Sequence, residues 1–140
     1  MNGTKISDIA SAPAFAPTVV RGDSPQSVLR AREATRAFTD SLAPVPDPAT
    51  ADALVLVVSE LVTNALRHGG GRFALELAAA PDTVTVAVSD PSPTRPRERT
   101  PDLDDGSGGF GWRMVRGLAS QLAITPGPGA GKTIHAGFPR

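Results

Sequence analysis

Glutamate, asparagine and histidine recur at four-residue intervals in the segment Ser59-Glu60-Leu61-Val62-Thr63-Asn64-Ala65-Leu66-Arg67-His68. On a helix each residue turns about 100 degrees, so Glu60, Asn64 and His68 fall at roughly 0, 40 and 80 degrees and Arg67 at about 340. They form one narrow polar stripe on a largely apolar helix. A buried glutamate or asparagine must be hydrogen-bonded or bind something, because leaving it unsatisfied costs a few kcal/mol (about 1–3). The asparagine oxygen is a hard, neutral ligand suited to Mg²⁺, and the carboxylate can act as general base for a hydroxyl or water attacking a phosphoryl group. Periodicity alone equally allows the stripe to face solvent at the rim of a sheet.

Two further features carry chemistry. Asp90 ends a run in which Val84, Val86 and Val88 alternate with smaller residues. Having the same parity as the valines, it should point to the buried face and need donors, such as the exocyclic amine of a purine. The alternative is that Asp90-Pro91 caps a turn. Gly106-Ser107-Gly108-Gly109-Phe110-Gly111 leads into a helical pattern. Glycines permit close backbone approach to phosphate and a helix N-terminus offers free N–H groups, although a flexible connector has the same composition. Two motif matches fail. Gly106, Gly108 and Gly111 fit G-x-G-x-x-G, but they follow a long loop and no acidic residue comes after Asp105 to bind a ribose. Gly131-Lys132-Thr133 resembles the end of a Walker A loop, but Pro126 stands at its first glycine and a strand pattern follows.

These residues need elements to hold them. Residues 1–11 are polar and unpatterned, and are expected to fray; residues 12–140 read as one domain. Ala12 to Val20 can form only an edge strand, since Pro13 and Pro17 lack N–H donors. Ser24-Pro25 opens a first helix marked by Val28, Ala31, Ala34, Phe38 and Leu42, and Asp47-Pro48 opens a second that runs to Gly69-Gly70-Gly71. Phe73, Leu75 and Leu77, then Val84, Val86 and Val88, mark a hairpin about Pro81-Asp82. Residues 91–109 are a long loop without period, the composition of a mobile lid. Trp112, Val115, Leu118, Ala119 and Leu122 mark a third helix, and 122–125 with 133–138 a closing hairpin. The expected fold is α+β: a two-layer sandwich whose mixed, mostly antiparallel sheet carries its helices on one face.

Bulk properties narrow the partners. With 14 basic and 14 acidic residues there is no long-range positive field for nucleic acid or an anionic membrane, and neither is an expected partner. The absence of cysteine removes disulfides and thiolate chemistry. The first residues do not form a signal peptide, and no run of roughly 18 uninterrupted apolar residues is present, so the expected location is the cytoplasm.

The order of motifs, Glu60 and Asn64 on a helix, Asp90 closing a strand, a lid, Gly109-Phe110-Gly111 opening a helix, then Gly131-Lys132-Thr133, resembles the GHKL ATPase and kinase superfamily with its Bergerat fold. It is most similar to the small ATP-binding regulators of the anti-sigma-factor serine/threonine kinase type, over about residues 24–138. The resemblance implies ATP and Mg²⁺ held between sheet, helices and lid. It implies Glu60 as general base, Asn64 as Mg²⁺ ligand, Asp90 as partner of the adenine amino group, Gly109 and Gly111 along the phosphates, and Thr133 near the adenine. Arg67 and His68 fall at the end of the same helical motif and are carried over as binding residues.

The resemblance implies transfer of the γ-phosphate to a serine or threonine of an anti-anti-sigma-type protein, with binding of a sigma factor, and suggests a homodimer. The superfamily's first glycine box, Asp-x-Gly-x-Gly, is replaced by Asp90-Pro91-Ser92-Pro93-Thr94, and Trp112 follows Gly111 in place of a smaller residue. The competing expectation is a non-catalytic protein-binding module of the same fold, with or without ATP. A sensor histidine kinase half is disfavoured, since the first helix holds no histidine.

Overall fold

The computed structural model describes residues 17–96 and 110–140. Five strands form one sheet in the order β1-β2-β3-β5-β4: β1 Thr18–Gly22, β2 Phe73–Ala79, β3 Thr83–Asp90, β4 Gln121–Pro126 and β5 Lys132–Pro139. All four pairings are antiparallel, so the α+β sandwich expected from sequence is found with an antiparallel sheet in place of a mixed, mostly antiparallel one. Three helices complete the order: α1 Gln26–Ser41, α2 Pro48–His68 and α3 Phe110–Leu118.

Local chemistry accounts for most boundaries. Asp47 caps α2, its side chain accepting from the Thr50 amide at 2.8 Å, with Pro48 in the first turn where no N–H is needed. The α1 start differs from expectation. Ser24 bonds to Ser27 through its hydroxyl and carbonyl, and Pro25 occupies the cap position without a side-chain cap. α3 ends at Leu118, four residues short of Leu122, which belongs to β4. There the Ser120 amide and hydroxyl both donate to the Gly137 carbonyl at 2.9 Å, turning the chain into the sheet.

Register assigns each face. Leu75 lies opposite Val88 and Val20, Leu77 opposite Val86, and Val88 opposite Ile134, so one face presents valine, leucine and isoleucine to the helices. Leu54, Val57, Val58, Leu61, Val62 and Ala65 of α2 fill the core from the other side. α2 is long and apolar enough to cross a membrane by composition, but these positions are buried against the sheet. The reverse face of the sheet is small and polar and carries Ala74, Ala87, Ser89, Thr133 and His135.

Two positions on α2 measure this packing. Leu61 is 1% exposed and Leu56 is 48% exposed. Leu61→Ala is expected to cost about 2–5 kcal/mol and Leu56→Ala about 0.5 kcal/mol or less in urea unfolding, because only the first opens a cavity.

Candidate functional site

The polar stripe of α2 runs along the edge of the buried helix surface. Glu60 and Asn64 are half-buried, while Arg67 and His68 are exposed in the last turn. At one end of the stripe stands α3. A Cβ on Gly111 would collide with the Glu60 carboxylate, so the glycine is what lets the α3 N-terminus lie against that acid. At the other end stands Asp90. A Cβ on Gly69, just past the end of α2, would come within 2.5 Å of Asp90 Oδ2. From Glu60 to Gly69 the helix rises about 14 Å at ~1.5 Å per residue. One acid thus lies against the N-terminal turn of α3 and a second, at the end of β3, lies against the glycine that follows α2.

The two carboxylates live in different surroundings. Burial raises the Glu60 carboxyl above its ordinary value by disfavouring the charged form, and the field of Arg67 pulls it partly back. Asp90 is 7% exposed and does point to the helix face, as its parity with Val84, Val86 and Val88 requires. Its Oδ1 accepts from Lys132 Nζ at 3.0 Å and from the Ser92 amide at 2.9 Å. Oδ2 accepts nothing from the described residues. Asn64 makes no side-chain hydrogen bond among the described residues, which leaves its amide oxygen available.

Thr133 does not join this group. It pairs with Ser89 on the opposite face of the sheet, where its hydroxyl meets Ser89 Oγ at 2.8 Å and donates to the Gly127 carbonyl at 2.8 Å. Side chains alternate along β5, so placing Lys132 beside Asp90 turns Thr133 away. Gly109 and the lid from residue 97 onward lie outside the described residues. A cavity of about 370 Å³ is lined by Arg21, Arg72, Phe73, Ser89, Asp90 and Pro91 among others; it reaches Asp90 but takes in neither Glu60 nor Asn64.

Sequence reasoning missed Lys132 and Gly69. The signal for Lys132 was present: it shares parity with Ile134, Ala136 and Phe138, so a lysine on the buried face was legible. Gly69 gave no comparable signal, because its partner lies 21 positions away on another element.

The site fits a magnesium nucleotide. A carboxylate oxygen and an asparagine oxygen, neither with a hydrogen-bond partner among the described residues, supply an acceptor and a hard metal ligand. Among the described residues no cluster of acidic or histidine side chains holds a metal by itself.

Residues 23–137 match the model of the histidine kinase-like ATPase domain, and the chain belongs to that family, the GHKL ATPases. Domains of this family bind ATP, generally with Mg²⁺. Among solved structures it is similar to that of the RsbU and RsbW domains of Rv1364c from Mycobacterium tuberculosis. The two share 22% identity at a TM-score of 0.63 over 89% of this chain, a likeness of fold. This chain spans about a third of that one, 32% of its length. No protein of curated function matches it by sequence.

Two glycine replacements test the geometry. Gly69→Ala drives a methyl into the Asp90 carboxylate and is expected to cost about 1–3 kcal/mol, the range for overpacking. Gly117→Ala, in α3 with nothing within 4 Å of the new Cβ, is expected to stabilise by about 0.5–1 kcal/mol. Urea midpoints of the two variants read the difference directly.

Proposed function

We propose that this chain is a cytoplasmic serine/threonine protein kinase of the anti-sigma-factor type. It would phosphorylate an anti-anti-sigma-type protein and, in alternation, bind a sigma factor. The observation that carries the catalytic part is Glu60. It is a half-buried carboxylate with a raised pKa, seated at the N-terminus of α3 and on the same stripe as Asn64. A site that only held nucleotide would have no use for a base there. The similarity to an RsbW domain supports the anti-sigma assignment at the level of fold.

Bound Mg-ATP would supply the γ-phosphoryl group. The roles of the protein follow from position. Asp90 accepts the purine amine through Oδ2, and Asn64 gives its amide oxygen to the metal. The α3 N-terminus offers free N–H groups to the phosphates. Glu60 accepts the proton of the attacking serine or threonine hydroxyl, as general bases do in phosphoryl transfer.

A second reading, an ATP-independent sequestering module of the same fold, has one observation in its favour. Asp90 already receives Lys132 and the Ser92 amide, so the fold does not need a nucleotide to satisfy it. Calorimetry with Mg-ATP separates the two, since the sequestering reading expects no heat of binding.

With labelled ATP and a cognate partner, Glu60→Ala is expected to lower transfer about 10²–10⁴-fold while leaving ATP affinity nearly intact. Asn64→Ala is expected to weaken Mg-ATP binding roughly tenfold. Equal transfer by Glu60→Ala and the unaltered chain would rule out its role as base.

The pH profile gives an independent check. A base must be deprotonated, and burial holds the Glu60 carboxyl above its ordinary value, so transfer should fall on acidification at a higher pH than an ordinary glutamate would give. Arg67 opposes that shift. Arg67→Ala is therefore expected to move the acid limb further up, and a limb moving down would contradict the assignment.

A further inference from the structure

Lys132 is the one buried cation among the described residues, 6% exposed. β5 brings it directly opposite Asp90 in the ladder, on the helix face of the sheet. The approach is close enough that a Cβ on the preceding Gly131 would overlap the Asp90 carbonyl. An ammonium has three donors. One goes to Asp90 Oδ1 at 3.0 Å and another to the Ser92 carbonyl at 3.1 Å, while the Ser92 amide returns to Oδ1 at 2.9 Å. A closed triangle thus ties the lysine, the aspartate and the turn that follows β3.

The triangle loads one carboxylate oxygen and leaves the other. Oδ1 takes two donors, which fills its ordinary capacity. Oδ2 lies against Gly69 and accepts nothing from the described residues. The turn is also the segment in which Pro91-Ser92-Pro93-Thr94 stands in place of a glycine-rich box, and Lys132 Nζ bonds the Ser92 carbonyl of that turn.

We propose that Lys132 is a positioning residue for base recognition. By holding Asp90 Oδ1 and the Ser92 turn, it presents Oδ2 as the single acceptor for a purine exocyclic amine. This rests on the nucleotide reading of the site given above. Lys132 does not compete with the base for the carboxylate, because it engages the other oxygen.

The test compares Mg-ATP with the Mg complex of purine riboside triphosphate, which differs only in lacking the exocyclic amine. Both are titrated calorimetrically into the full chain and into Lys132→Met. The unaltered chain is expected to bind ATP roughly tenfold or more tighter than the analogue, the worth of one hydrogen bond to a charged group. In Lys132→Met that ratio should fall to about one, while affinity for the analogue changes by about threefold or less, since the triphosphate contacts remain.

Should Lys132→Met lose its cooperative unfolding transition, Lys132→Gln keeps a neutral donor on a shorter stem and is expected to lower the ratio in the same direction. A ratio unchanged in the folded variant, or tighter ATP binding by it, overturns the proposal. An unaltered chain that binds both nucleotides equally well overturns it while leaving the nucleotide reading in place. Binding of neither removes that reading, and this inference with it.

Discussion

The fold is governed by how α2 is buried. Leucine and valine cover most of its circumference, and they are enclosed between the sheet, α1 and α3, away from water. Glu60 and Asn64 lie on the same helix and cannot be enclosed without partners. The two demands are met by leaving the polar stripe at the seam where α3 meets α2, half-buried. The site is thus the strip of α2 that the core cannot cover.

The two ends of that strip differ in their chemistry because they differ in what surrounds them. At Glu60 burial works against charge and holds the carboxyl above its ordinary value. At Asp90 a full ion pair with Lys132 is built across two neighbouring strands, with both partners more than nine-tenths buried. Removing one member of such a pair leaves the other charge uncompensated, and any register slip between β3 and β5 would separate them. The same pair anchors the turn after β3, where glycines would otherwise let the backbone approach a ligand.

What was legible in the sequence had a period. α2 could be read from its caps, Asp47-Pro48 and Gly69, despite a β-branched run that suggests a strand. The alternation at 73–77 and 84–88 gave the hairpin, and parity sent Asp90 inward. Elements without an unambiguous period were read less well. Leu122 continues the helical spacing of Trp112, Val115 and Leu118 yet lies in β4, because hydrogen bonds from Ser120 to Gly137 end the helix first. Thr133 was placed by its neighbours in a motif, whereas pairing in the sheet decides which side it faces.

The sequence by itself determined the helix with its polar stripe, the inward carboxylate at Asp90 and the absence of a charge field or thiol chemistry, since each depends only on residue type and local spacing. The tertiary structure alone decided that Lys132 meets Asp90 across 42 positions, that Gly69 lies against Asp90 and Gly111 against Glu60, and that Thr133 faces away. Those outcomes come from strand register and interhelical approach. Both are set when distant segments pack together, and neither leaves a local pattern in the chain.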